Sequence, residues 1–315
     1  MKQGAGITVL SLHPTRDVIL DVPDLALGGV NRARKWFSYP AGKALNAART
    51  AGMLGGDSRA ILFAPAHWSG MLKKFLGRFG VRFMHLVVEG EGRVCVMLNQ
   101  GRKETVINTD LLMRPSPRLI GRMMGLVMQA AARPGFIVCS GSLPPTMSDS
   151  RFRSLLRVAG CGPARLVLDV SGARLRTGVQ FRPWLIKPNL SEFRSLTGKT
   201  AQSLSGLLAL AHELRQRGVG RVLLSLGDRG CLLASASGDW FVPPVSGGFP
   251  VISPVGCGDA LLGAFLRAVA GGAPESEALR WGVAAATANL AHEGACLMAP
   301  AEIRAILPRV KLEKP

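Results

Sequence analysis

The chain has 315 residues, 48% hydrophobic and 19% charged, which fits one large folded domain and excludes a disordered chain. Lys and Arg number 39 against 20 Asp and Glu, a net charge of +19 that favours anionic partners. These basic residues are spread along the whole chain with a single Tyr; a phosphorylated metabolite is therefore the expected partner, with only weak non-specific attraction to nucleic acid.

In chain order, Met1 to Gly4 runs into a short apolar strand at 7–12 followed by His13-Pro14. That run is too short for a secretory signal, and no apolar stretch is long and charge-free enough to span a bilayer. The expected location is the cytoplasm, with no membrane partner. Residues 18–22 read as a second strand, and 43–54 as a helix closed by Gly55-Gly56. An amphipathic helix follows at 68–79. Segments 82–88, 94–99 and 103–108 are short strands with Gly-containing turns, a meander that predicts a small separate sheet. Beyond Pro117 helices at 119–132 and 148–158 alternate with strands at 136–140 and 166–170. A strand at 184–187, a helix at 203–217 and a strand at 221–226 come next. This alternation predicts an α/β fold, a mostly parallel sheet with helices on both faces.

The cysteines (Cys95, Cys139, Cys161, Cys231, Cys257, Cys296) show no C-x-x-C pair and sit in apolar or Gly-rich contexts, so buried thiols are expected rather than disulfides or zinc ligands. Cys257 differs, because a helix N-terminus can lower a thiol pKa, although a small residue filling a tight turn is the plainer reading.

The segment Ser253-Pro254-Val255-Gly256-Cys257-Gly258-Asp259 carries the most chemistry. Gly256 and Gly258 permit a tight turn whose N–H groups open a helix, a place that favours anions. Asp259 stands beside it as a base for phosphoryl transfer, or equally as an ordinary helix cap. Leu261 occupies the third glycine position of a dinucleotide fingerprint, and Phe193 the first glycine of a Walker A loop before Gly198-Lys199-Thr200, so neither architecture applies. Other strand ends are also polar and glycine-rich: Cys139-Ser140-Gly141-Ser142, Lys187-Pro188-Asn189 and Ser225-Leu226-Gly227-Asp228-Arg229-Gly230. Ligands of open parallel sheets sit at such ends. Lys43 and Asn46 share a helical face, so both can reach one ligand. Asn189 and Glu192 have the spacing of a capping box.

Six segments occur in a telling order. They are Asp17 with Gly28-Gly29-Val30-Asn31-Arg32, then Ala41-Gly42-Lys43-Ala44-Leu45-Asn46-Ala47-Ala48-Arg49 with Leu54-Gly55-Gly56, then Ser140-Gly141-Ser142-Leu143-Pro144-Pro145. Leu185-Ile186-Lys187-Pro188-Asn189-Leu190-Ser191-Glu192, Ser225-Leu226-Gly227 and Val255-Gly256-Cys257-Gly258-Asp259 complete the set. Over essentially its whole length the chain resembles the ribokinase-like (PfkB) carbohydrate kinases, most closely the 1-phosphofructokinase and tagatose-6-phosphate kinase branch.

The resemblance implies a single domain over 1–315, with a β lid formed within 15–40 and 82–110, and a homodimer paired through the lid. It implies transfer of the ATP γ-phosphoryl group to a phosphorylated ketohexose, fructose 1-phosphate foremost. Tagatose 6-phosphate, fructose 6-phosphate, a free sugar or nucleoside, and a non-catalytic sugar-phosphate sensor are the alternatives. By the same resemblance Asp259 is the catalytic base, and the Gly256, Cys257 and Gly258 N–H groups stabilise developing charge. Asp17 contacts sugar hydroxyls, Lys43 and Arg93 hold the phosphate already on the sugar, and Gly42, Asn46, Asn108 and Ser140 complete the substrate side. Lys187, Asn189, Ser225, Gly227, Gly230 and Gly258 belong to the ATP side, with Asn189 and Glu192 organising a hydrated Mg2+. Ala41 and Ala44 replace glycines of the family pattern, Cys257 an alanine and His13 an asparagine, changes that bear on the sugar pocket.

Overall fold

The computed structural model describes residues 5–101, 103–109, 113–245 and 247–315. The opening Met1 to Gly4 and, within the 82–110 segment, residues 102 and 110 lie outside the described residues.

Nine strands form one sheet in the order β13-β12-β11-β10-β9-β8-β1-β4-β5. Its parallel centre is β1 (Gly6–Ser11), β4 (Ser58–Pro65), β8 (Gly135–Ser140), β9 (Ala164–Asp169), β10 (Leu185–Ile186) and β11 (Val222–Ser225), with β5 (Val81–Val88) at one edge. At the other edge β12 (Cys231–Ser235) and β13 (Gly238–Val242) run antiparallel as a hairpin. Successive residues of the central strands point to opposite faces, so Val9, Val138 and Leu223 enter one core while Leu10, Cys139 and Leu224 enter the other. Both faces are buried, which is why these strands read as continuous apolar runs. The first core is closed by α1 (Lys43–Met53), α2 (Ser69–Arg78), α8 (Cys257–Ala270), α9 (Glu275–Asn289) and α10 (Pro300–Ile306). The second is closed by α3 (Pro117–Ala131), α4 (Asp149–Ala159), α5 (Gly172–Gly178), α6 (Leu190–Thr197) and α7 (Leu204–Gln216).

Helix starts follow local chemistry. Ser116, Ser148 and Ser203 each accept a hydrogen bond from the backbone N–H three residues on, and Pro117 occupies the first turn of α3. No described helix is long and apolar enough to cross a membrane.

A second sheet of four strands has the order β3-β2-β6-β7, built from β2 (Thr15–Asp21), β3 (Lys35–Ala41), β6 (Arg93–Gln100) and β7 (Lys103–Asn108). This corrects the expectation for 82–88: β5 pairs in parallel with β4 from Ser58↔Val81 to Pro65↔Val88 and belongs to the large sheet. An alternating strand looks alike in either sheet, and its partner here is a strand that the sequence reading passed over. Ile19, Tyr39, Ala41, Cys95 and Met97 pack the small sheet against Phe75, Val255 and Leu297, beside the loop that leads into α8. The cysteines are free; Cys95, Cys139, Cys231 and Cys296 are buried as expected, whereas Cys161 is exposed.

Candidate active site

A cavity of about 580 Å³ opens where the carboxyl ends of β1, β8, β9, β10 and β11 meet the N-termini of α1 and α8 and the inner face of the small sheet. It gathers nearly every residue singled out from the sequence. Gly42, Lys43 and Asn46 come from α1, and Asp17, Arg93 and Asn108 from the small sheet. Ser140, Lys187, Asn189, Ser225 and Glu192 come from the strand ends and α6, and Gly256, Gly258 and Asp259 from α8. Gly227 and Gly230 shape the turn between β11 and β12 and do not line the cavity.

Asp259 occupies the first turn of α8 and is 6% exposed. Asn46 Nδ2 donates to its Oδ2 at 2.8 Å. Burial, and next the charge of Asp169, push the Asp259 carboxyl up to about 7, against the Asn46 hydrogen bond and the Lys187 and Lys43 charges. Gly256 caps the helix at φ +85, and a Cβ there would lie 2.5 Å from the Ala295 Cβ. The turn offers fewer donors than its sequence promised: Cys257 N–H donates to Pro254 O and Asp259 N–H to Gly256 O. The N–H groups of Gly256 and Gly258 have no acceptor among the described residues. The Cys257 side chain leaves the cavity lining, with Asn289 Nδ2 at 3.3 Å from Sγ, and burial raises its thiol pKa rather than lowering it.

Asp169, at the end of β9, was missed from the sequence. It is 1% exposed and accepts from Ser140 Oγ at 2.9 Å, while Lys187 Nζ stands 3.1 Å and Lys43 Nζ 3.9 Å from Oδ1. Lys43 Nζ also lies 3.8 Å from Glu192 Oε1, and the Asp169 charge above all raises its pKa. Lys43 therefore stands among carboxylates at the centre of the cavity.

Arg93 Nη1 instead donates to Ser142 Oγ at 3.0 Å, with His13 Nδ1 3.4 Å from the same oxygen. His13 Nε2 is buried with no hydrogen-bond partner among the described residues. Burial, and then the Arg93 charge, lower the His13 pKa to about 4. Asp17 is buried, accepts from Thr15 Oγ1 at 2.7 Å, and has its carboxyl raised chiefly by burial. Asn189 and Glu192 form the capping box: Asn189 Oδ1 accepts from Glu192 N at 2.8 Å and Glu192 Oε2 from Asn189 N at 2.9 Å. Glu192 Oε1 remains on the cavity side beside Lys43.

The cavity thus combines a buried carboxylate with a raised pKa, free N–H groups at a helix start, and three cations, an arrangement fitted to anion chemistry at an alcohol. A model of the pfkB family of carbohydrate kinases matches residues 8–302. The chain belongs to that family. It is a carbohydrate kinase of ribokinase-like fold. It is 27% identical over 311 residues to the 1-phosphofructokinase of Bacillus subtilis, covering 98% of this chain and 99% of that protein. Over 295 residues it is 29% identical to the ATP-dependent 6-phosphofructokinase isozyme 2 of Mycobacterium tuberculosis, covering 91% and 85%. Phosphofructokinase-2 of Escherichia coli, solved in complex with substrates and products, superposes at a TM-score of 0.88 with 24% identity over 96% of this chain and 98% of that one.

Proposed function

We propose that this pfkB kinase transfers the γ-phosphoryl group of ATP to a hydroxyl of a phosphorylated ketohexose, fructose 1-phosphate foremost. The reading is carried by Asp259, a buried carboxylate in the first turn of α8, in one cavity with Arg93, Lys43 and Lys187. The substrate hydroxyl loses its proton to the Asp259 Oδ1, since Oδ2 is engaged by Asn46. Its oxygen forms the new P–O bond while the bond from the γ-phosphorus to the ADP oxygen breaks. The N–H groups of Gly256 and Gly258 receive charge that develops on the transferred group, and Lys43 and Lys187 neutralise the phosphates.

Lys43 sits with Asp169 and Glu192, so the phosphate already on the sugar falls to Arg93, with Ser142 and His13 beside it. Asp17 and Asn108 face the sugar hydroxyls from the small sheet. Among the described residues no three His, Cys, Asp or Glu gather into a metal cage. The donor set fits a magnesium ion that keeps its waters; Glu192 and Asn189 would hold it through them, and it would supply positive charge to the nucleotide phosphates. Asn189 and Ser225, joined by a β-bridge, border the ATP side.

The small sheet serves as a lid over a single domain, excluding water from the transfer. Its exposed Trp36, Val106 and Ile107, with Leu27 and Val30 in the loop it carries, support a homodimer paired through the lid. We place its activity in the cytoplasm. An ADP-release assay with fructose 1-phosphate, tagatose 6-phosphate, fructose 6-phosphate and free fructose tests the reading. Turnover highest on fructose 1-phosphate is expected, and turnover confined to free fructose would overturn it.

A further inference from the structure

Arg49 lies one helical turn beyond Asn46 on α1 and is fully buried, at 0% exposure. Its guanidinium carbon lies 5.0 Å from the Tyr39 ring centre, 5.0 Å from Phe75 and 5.6 Å from Phe79. Among the described residues Nε and Nη1 have no hydrogen-bond acceptor. Only Nη2 is used: it donates to Asn46 Oδ1 at 2.5 Å and to Ala295 O at 2.7 Å. Arg49 forms no ion pair among the described residues, although the buried Asp17 carboxyl feels its charge; a guanidinium so buried is a costly way to fill an aromatic cage, where an apolar side chain of similar volume serves stability as well or better. Its use lies in the one hydrogen-bonding edge it presents.

Resting on the assignment of Asp259 as base, we propose that Arg49 is a positioning residue, fixing the Asn46 amide so that Nδ2, and not Oδ1, faces the Asp259 carboxylate. Arg has donors and no acceptor, so only an amide oxygen can meet Nη2. With Oδ1 held there, Nδ2 is the end that lies 2.8 Å from Asp259 Oδ2. The flipped amide would set oxygen against oxygen at that distance, which is tolerable only when Asp259 carries a proton. Arg49 thereby favours the ionised base, against burial and the neighbouring Asp169 carboxylate. The other ionisable groups facing Asp259 are Lys187 beyond β10, Lys43 on α1, and the Cys257 and Cys296 thiols. The second Nη2 bond ties the same guanidinium to Ala295, the residue against which Gly256 packs, so base and turn share one anchor.

The test compares pH profiles of kcat at saturating ATP and sugar phosphate for wild type, Arg49→Met, Arg49→Leu and Arg49→Lys, with Asp259→Asn as reference. Arg49→Met and Arg49→Leu should fold, leave the KM for sugar phosphate within about threefold, and lower kcat roughly tenfold at pH 7. Their acidic limb should move up by about one pH unit, so that the deficit shrinks at pH 9. Arg49→Lys, which still offers a donor to Asn46, should restore the wild-type limb. A kcat lowered by the same factor at every pH, or an unmoved limb, would overturn the proposal, as would failure of both apolar variants to fold. An Asp259→Asn enzyme as active as wild type would instead remove the base assignment itself.

Discussion

Lys187 and Asp169 face each other in the cavity as a buried ion pair, Nζ to Oδ1 3.1 Å, with 5% and 1% of their side chains exposed. The lysine sits within reach of the helix turn as well, since a Cβ on Gly258 would lie 3.1 Å from its Nζ. One cation therefore compensates a buried carboxylate and remains available to an incoming phosphate. Replacing Lys187 with Met leaves the buried Asp169 charge to Lys43, 3.9 Å away and 42% exposed, and should destabilise the fold by up to about 3–5 kcal/mol. Urea denaturation checks this. The double change with Asp169→Asn should recover most of the stability while activity stays lost.

On the proposed mechanism Asp259 acts as a base only when ionised, so kcat should fall as pH drops through about 7. Asp259→Asn should cost about 10²- to 10⁴-fold in kcat with little change in the KM for ATP. Because the folded-state pKa is raised, the stability linked to this group is fully present below the unfolded value and lost as pH rises through about 7. Thermal melts should therefore show Asp259→Asn gaining on wild type between pH 5 and pH 8, and a constant difference across that range would contradict the raised pKa.

His13 should stay neutral across the working range and titrate near pH 4 in the free enzyme, read from its imidazole resonances by NMR. A lowered histidine pKa means that the linked stability is present above the unfolded value and lost as pH falls through about 4. Burial is the larger cause, so Arg93→Ala should raise the titration only part of the way back. A full return to ordinary histidine behaviour would show that the charge dominates.

Arg93 donates to Ser142 at the edge of the cavity, where its fork can still grip a phosphate. Arg93→Ala should raise the KM for a phosphorylated sugar about 10- to 150-fold, the loss of one charge-assisted contact of about 1.5–3 kcal/mol. Weak activity on the unphosphorylated sugar should change little. Equal effects on both substrates would place Arg93 elsewhere.

Gly256→Ala combines a φ of +85 with a Cβ 2.5 Å from the Ala295 Cβ. The clash includes the Ala295 backbone, with its Cα at 2.8 Å, so the helix start must shift. Activity should drop by at least tenfold with a loss of stability of a few kcal/mol, measured by kcat and by chemical denaturation. Gly227→Ala serves as the control: φ is +66 there but no atom lies within 4 Å, so a smaller loss is expected.

Much of the fold was legible because its signals are local. The helices from 119, 148 and 203, the Asn189–Glu192 box and the Gly256–Asp259 turn are each written within a few residues. β4 was missed because its Ala60–Ala64 run is buried on both faces and shows no alternation. The β12–β13 hairpin, α9 and α10 likewise went unread, their patterns merging into a long apolar C-terminal third. Asp169 had one usable signal, a carboxylate closing an apolar strand, which resembles any strand end until the neighbouring strands are in place.

By itself the sequence determined which groups the proposed phosphoryl transfer draws on, since turn glycines, caps and strand-end polar residues follow from backbone sterics and local hydrogen bonding. Only the tertiary structure decided their pairing. It joined β5 to the large sheet, set Lys43 among carboxylates, and turned Cys257 away from the cavity. It also buried Arg49, Asn46 and Asp259 in one chain of hydrogen bonds. The physical reason is distance along the chain. Asn46 and Asp259 are 213 residues apart, and their 2.8 Å contact exists only because α1 and α8 pack against the same face of the sheet.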